Sequence, residues 1–263
     1  MVDADLLKLL WKVAEKAPAN RRMSIMRALA KGAGKTNPVG DGNGKTALPS
    51  TYRPVGKTCP PGCRFLQPPP FNPRYPRRAG SPTCLALFGK TGKHQANASE
   101  DAAPSLRAAA VAMIAAAQDG DPARLHVGGD LGQTWTQAAP YIDGLIQISR
   151  FIRDIAGDPD RATAFGYTHL DDHPTLQLLW SEGLFFRRSD RSGHMGALTG
   201  SHDNRPKGTF KCLEQVSPWS PSNPDGFTCA SCRMCWTHPK NPVIFKPARG
   251  NFLDELSIPV DLT

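Results

Sequence analysis

No stretch of this chain approaches the roughly 18 to 20 apolar residues of a membrane span. The most apolar run, residues 108–117, is short and rich in alanine. The chain opens Met-Val-Asp-Ala-Asp-Leu-Leu, with acids where a secretion signal needs bases. No membrane association is expected, and the expected location is the cytoplasm. Between Gly42 and Ser99 there is no Asp or Glu at all, against nine Lys or Arg. There is no internal repeat. No Gly-x-Ser-x-Gly elbow occurs, and no Ser–His–Asp or Cys–His hydrolase order is supported. Gly34-Lys35-Thr36 and Gly44-Lys45-Thr46 invite comparison with a phosphate-binding loop. Such a loop needs a glycine five residues earlier, where this chain has Leu29 and Val39.

What is present fits a folded cytoplasmic protein. The 263 residues are 40% hydrophobic, enough to bury a sizeable core. The net charge of +9 implies a basic surface that attracts polyanions, so nucleic acid or a nucleotide is an expected partner. The seven cysteines are an odd number in a chain without a secretion signal, which argues against a disulfide framework and for metal binding.

Residues 1–45 read as a helical extension followed by a Gly-rich linker, and residues 46–263 as an α/β domain. Leu6, Leu7, Leu10, Trp11 and Val13, then Met23, Met26 and Leu29, mark helical faces within residues 4–31. These helices pack on the main domain or on a protein partner. Residues 49–82 hold ten prolines, so their backbone is irregular. A metal bound by Cys59, Cys63 and Cys84 would order such a segment. Beyond residue 100 the pattern becomes regular. A helix is expected over 103–118 and a strand over 124–127. The next helix has Pro140 in its first turn and ends at Gly157. Further strands are expected over 163–169, 176–181, 194–199 and 243–246. Alternating strands and helices predict a mostly parallel sheet, either open or a partial β/α barrel. Ligands of such sheets sit at the carboxyl ends of the strands. Those ends carry Gly128, Gly129, Asp130, Thr168, His169, Ser181 and Glu182.

The strongest local signal is Cys229-Ala-Ser-Cys232-Arg-Met-Cys235-Trp. Thiolates at this spacing wrap zinc or an iron–sulfur cluster with little backbone strain. Cys212 or His238 would supply a fourth ligand. Cys59-Pro-Pro-Gly-Cys63 with Cys84 forms a second group. Three thiolates leave one iron of a four-iron cluster open to substrate or S-adenosylmethionine. Leu66 stands where the radical S-adenosylmethionine spacing places a third cysteine, so Cys84 would have to replace it. The seven cysteines divide into two groups or converge on one site. Gly128 and Gly129 would let a cofactor approach the backbone, and Asp130 and His169 are candidate catalytic groups. His173 is a weaker candidate than His169, and His126 reads as a core histidine inside a strand. His94, His194 and His202 have no assigned role.

Residues 51–63, Cys84-Leu85-Ala86, residues 125–130, Gly166-Tyr167-Thr168-His169, residues 229–236 and Val243-Ile244-Phe245 together resemble a group of phage and plasmid proteins similar to the gene-product-88 type. The likeness spans roughly residues 45–250. Leu85 stands for the usual tyrosine, Gly128 for the usual serine, and a Pro-rich insertion precedes Cys84. The resemblance implies an origin in a mobile element, within a bacterial host cell. It also implies that Cys84, Asp130 and His169 lie near one pocket. Two classes of function are expected. One is a 4Fe-4S protein acting as a radical S-adenosylmethionine-like enzyme on a nucleotide or nucleic acid. The other is non-catalytic: a zinc-stabilised nucleic-acid-binding protein, or a phage structural or assembly component.

Overall fold

The computed structural model describes residues 2–42, 48–61, 89–170, 172–189, 196–199, 210–211, 223–237 and 243–245. In chain order the elements are α1 (Ala4–Lys16), α2 (Ala19–Gly32), β1 (Val39–Gly40), β2 (Ser50–Thr51), α3 (Gly89–Ala96), α4 (Ala102–Gln118) and β3 (Ala123–Arg124). There follow α5 (Trp135–Ala156), β4 (Ala164–Thr168), α6 (His173–Ser181), β5 (Leu184–Ser189), β6 (Gly196–Thr199), β7 (Phe210–Lys211), α7 (Cys229–Cys232), α8 (Met234–Thr237) and β8 (Val243–Phe245).

The expected N-terminal helical extension is two helices, divided where Pro18, which lacks an N–H, stands at the N-cap of α2. Asp3 starts α1 by accepting the Asp5 N–H at 2.9 Å. Leu6, Leu7, Leu10 and Ala14 form its buried stripe. That stripe, with Met26 and Ala30 of α2, joins one continuous core with α4. In α4, Ala108 through Ala117 are all buried. A helix apolar on every side must be enclosed, and short alanine side chains let its neighbours approach. Here those neighbours are α1, α2, α5 and the strands β1 to β3.

The strands form one sheet in the order β1-β2-β3-β4-β5-β6-β8-β7. Among the described residues, only the β1–β2 pair is antiparallel. The chain is α/β with a mostly parallel sheet, as its strand–helix alternation predicts, and among the described residues the sheet is open, with β1 and β7 as edges. From β2 to β6 each strand adds beside the last in one direction. Right-handed crossovers then keep the connecting helices on one face. The alternation of side chains along each strand sorts the two faces. Ala164, Leu184 and Phe186 share a core with α4 and α5. Phe165 packs with Leu48 and Trp236 in a second cluster, joined by Phe185 and Cys235.

Three expectations need correction. Residues 176–181 are not a strand but most of α6. Asp172 at the N-cap and Pro174 in the first turn are helix-start signals, and Leu176 and Leu179 are buried at helical spacing. The strand there is β5, which begins two residues after Glu182, so Ser181 and Glu182 lie at a helix end rather than a strand end. Glu182 is held by Arg150 and Arg153, and the Ser181 hydroxyl donates to the Leu178 carbonyl. Pro140 lies inside α5, which starts earlier because the Thr134 hydroxyl accepts the Gln137 N–H. The helix does end at Gly157, in the left-handed region at φ 63°. His126 is buried as expected but lies beyond β3, at φ 55° rather than in extended conformation. Among the described residues, no helix is long and apolar enough to cross a membrane.

Leu10 is fully buried in the core shared with α4. Leu10→Ala should lower global stability by about 2–5 kcal/mol, read as an earlier urea midpoint in a single transition. An unchanged midpoint would show that the first helix is not part of the cooperative core.

Candidate functional site

Parallel strands bring the loops that follow β2, β3 and β4 to one end of the sheet. The ladder continues past β3, because Leu125 N–H donates to Phe165 at 2.8 Å and Val127 N–H donates to Thr51 at 3.0 Å. The next residues are Gly128, Gly129 and Asp130. Arg53 N–H donates to the Gly128 carbonyl at 3.1 Å. Gly129 has φ 79°, and a Cβ there would sit 2.4 Å from the Arg53 carbonyl oxygen. Glycine is therefore required at this position by the close passage of the chain's own loop over it.

Asp130 is the centre of this region. Its side chain is 1% exposed, whereas that of His169 is 27% exposed, so the carboxylate is sealed and the imidazole is partly exposed, with its Nε2 itself buried. Oδ1 accepts the Leu131 N–H at 2.7 Å and the Thr168 hydroxyl. Oδ2 accepts the His169 N–H at 2.8 Å, and His169 Nδ1 lies 3.1 Å from it. The Asp130 N–H donates to the Thr58 hydroxyl at 3.0 Å. That hydroxyl donates in turn to the Pro54 carbonyl at 2.9 Å. Donation from Nδ1 to the carboxylate selects the tautomer whose Nε2 carries the lone pair, suited to proton transfer or metal ligation.

Arg53 ties the same loops from below. Its guanidinium donates to the carbonyls of Asp130 at 3.0 Å, of Leu131, and of Glu100 at 2.7 Å. It also lies 4.3 Å from the centre of the Tyr141 ring. Although Arg53 belongs to the acid-free basic run, it is buried and its donors are taken up inside the protein. Burial weakens its hold on its proton, while Tyr141, Asp130, Cys59 and Glu100 strengthen it. Cys59, next to Thr58, is buried within this neighbourhood. The Tyr141 hydroxyl lies 2.8 Å from His126 Nε2. Burial, with Arg53 alongside, holds His126 well below its usual pKa and therefore neutral.

The second group of side chains lies on the opposite face. Thr228 and Ser231 close a capping box over α7. Arg233 then turns the chain at φ 57° into α8, which carries Cys235 and Trp236. Trp236 packs on Phe165 with ring centres 4.7 Å apart. Cys235 Sγ lies 3.1 Å from the Tyr167 hydroxyl. Arg187 Nε donates to the Cys235 carbonyl at 2.8 Å. Burial pushes the Cys235 thiol upward, and Arg187 and the Tyr167 hydroxyl oppose that push. Tyr167 is raised well above its usual value by burial and then by Cys235, with Arg124 opposing and Cys229 adding.

The structure thus brings Asp130, His169, Gly128, Gly129 and Cys59 to the ends of neighbouring strands, and Cys235 near Cys232 and Cys229 across the sheet. Among the described residues, no three His, Cys, Asp or Glu form a group that could hold a metal ion. Cys63, Cys84, Cys212, His194, His202 and His238 lie outside the described residues. His173 opens α6, and His94 stacks on Tyr52 at 4.6 Å. Sequence reasoning missed Arg53, Thr58, Tyr141, Tyr167 and Arg187. The one usable signal was period two in β4, which sends Tyr167 and Thr168 to opposite faces.

Comparison with family models, curated proteins and solved structures returned no match.

Two outcomes follow from this geometry. Asp130→Asn places amide N–H groups where a backbone N–H, a hydroxyl and an imidazole already donate. It should lower stability by on the order of 3 kcal/mol, read from urea unfolding at pH 7. His126 is neutral when folded but takes a proton near pH 6.5 when unfolded. Its folded pKa is depressed, so its contribution is complete above about pH 6.5 and is lost as pH falls below it. Stability should drop by about 1.4 kcal/mol from this group by pH 5.5. His126→Gln should flatten that part of the profile; an unaltered slope would mean that another group titrates there.

Proposed function

We propose that this chain is a cysteine-ligated iron–sulfur protein with an acid–base pair beside its metal chemistry. Cys59, Cys63 and Cys84 are the ligands of the cluster next to Asp130 and His169. Cys229, Cys232 and Cys235, with Cys212, would have to draw together to hold a second centre on the other face, because the first three do not stand as a three-ligand group in the structure. The carrying observation is where the groups meet. Cys59 follows β2, Asp130 follows β3 and His169 follows β4, and Thr58 and His169 both hydrogen-bond to Asp130. Loops at the carboxyl ends of parallel strands are where such sheets bind ligands.

In this reading Asp130 orients His169, and His169 Nε2 moves a proton or meets a substrate held at the cluster. A cluster with three thiolates keeps one iron open, which is the basis for S-adenosylmethionine as cofactor. The net charge of +9 supports a nucleotide or nucleic acid as substrate. The same charge favours a second reading, in which the cysteines hold structural zinc and the protein binds nucleic acid without catalysis.

The test is iron, zinc and acid-labile sulfide analysis of protein purified without oxygen, with its absorption spectrum. Iron and sulfide in equal amounts, about four of each per bound cluster, are expected. Cys59→Ser should remove one centre and Cys235→Ser the other. Zinc without iron would overturn the iron–sulfur reading in favour of the zinc protein. Absence of both metals would overturn both readings.

A further inference from the structure

We propose that α2 is the surface on which this protein holds the phosphate backbone of a nucleic acid, along a stripe of Asn20, Ser24, Arg27 and Lys31. The inference rests on the reading of nucleic acid as the partner and goes beyond it by naming the surface. Charge separates α2 from its neighbours. Its 14 residues hold Arg21, Arg22, Arg27 and Lys31 and no acid. By contrast, α1 sets Asp5 and Glu15 among Lys8, Lys12 and Lys16, and α5 sets Asp143 and Asp154 against Arg150 and Arg153.

Residues 20, 24, 27 and 31 share one face, because side chains three and four apart are neighbours on a helix. Met26 and Ala30 are buried on the other side. Asn20, Ser24 and Lys31 are exposed, as is Arg21 beside them. Arg27 is partly buried and held by the Asp41 carboxylate, as Arg22 is held by Asp119 at 2.8 Å. Each side chain of the stripe carries an N–H or O–H donor, the kind of group that contacts phosphate oxygens. The Ser24 hydroxyl rests on the Arg21 carbonyl at 2.8 Å and, being exposed, is able to turn outward. A cavity of about 340 Å³ lies beside the first half of the stripe, lined by Asn20, Met23, Ser24, Arg27 and Asp41 among others. It leaves room for a phosphate group beside the Arg27 side chain.

The stripe spans about 16 Å, at about 1.5 Å per residue. One strand of a duplex carries a phosphate about every 3.4 Å of axis, so several fall within its length. The contacts at its two ends fix its direction. Arg22, near the start of α2, reaches Asp119 just past the end of α4. Arg107, near the start of α4, donates to the Lys35 carbonyl at 2.9 Å, just past the end of α2. Asn37 then donates to the Ser99 carbonyl at 2.8 Å, next to Glu100, whose carbonyl accepts from Arg53 at 2.7 Å. Lys31 and Lys35 therefore lie toward the end of the sheet that carries Asp130 and His169.

The experiment measures binding of a short labelled DNA duplex, and of one of its single strands, to the full-length protein by fluorescence anisotropy between about 50 and 200 mM salt. Wild-type affinity should fall steeply as salt rises. Arg21→Ala and Lys31→Ala should each weaken binding about five- to tenfold near 0.1 M salt and lower the salt slope by about one. Their urea midpoints should stay unchanged, because both side chains are exposed. Asp41→Asn keeps an oxygen for Arg27 and removes a negative charge, so it should tighten binding. Arg150→Gln removes the same charge from α5 and should change affinity by no more than about twofold, since distant surface charges are screened. Losses in Arg21→Ala and Lys31→Ala no larger than that of Arg150→Gln would overturn the stripe while leaving nucleic acid as the partner. Wild type that binds neither probe at about 50 mM salt would overturn the nucleic-acid reading, and the stripe with it. Equal affinity for polyglutamate of similar length would assign α2 to an acidic protein and overturn the phosphate assignment.

Discussion

One buried carboxylate holds the carboxyl end of this sheet together. Asp130 is sealed from solvent, where an unsatisfied charge is expensive. It is tolerated because a backbone N–H from its own loop, a hydroxyl and a backbone N–H from the end of β4, and the His169 ring all point at it. Its own N–H reaches Thr58 beyond β2. The loops after three neighbouring parallel strands are therefore tied by a single residue. An antiparallel sheet would send alternate loops to opposite ends and leave no such meeting point. Arg53 adds the complementary part, because its donors satisfy carbonyls of the same loop that an irregular backbone would otherwise bury without partners.

The two groups of side chains are linked by the shortest route a strand offers. Tyr167 and Thr168 are adjacent, so they face opposite sides of the sheet. One meets Cys235 and the other meets Asp130. A change in the position of either loop is thus felt by the same two peptide units. The core beneath is firm there: Gly166 lies against Phe186, with an added Cβ only 2.7 Å from its ring.

Much of the scaffold was legible because it depends on local periodicity. The helix over α4 and its end at Asp119, the stop of α5 at Gly157, and the strand at β4 follow from spacing and capping. The α6 segment failed because Leu176, Leu178, Leu179 and Trp180 form a short apolar run that fits either period. Only Asp172 and Pro174 distinguished the two. The site was legible in part. Asp130 and His169 were marked by strand ends, and the resemblance set them together. Arg53 was not legible, since an arginine in a Pro-rich basic stretch has no local sign of burial. Its position is decided by carbonyls 77 and 78 residues away. Tyr167 and Cys235 are 68 residues apart, and nothing in either neighbourhood names the other.

Charge balance bears on the state of the cysteine group. Burial, with Cys232 adding to it, raises the Cys235 thiol, so the side chain keeps its proton at neutral pH. A thiolate there would have to be compensated in a poorly solvated setting. Arg187 and Arg124 already lie close enough to favour the charged sulfur. Arg187 bears its own desolvation there and gains from Cys235 and Tyr167. The environment resists the thiolate through burial while two guanidiniums oppose that resistance.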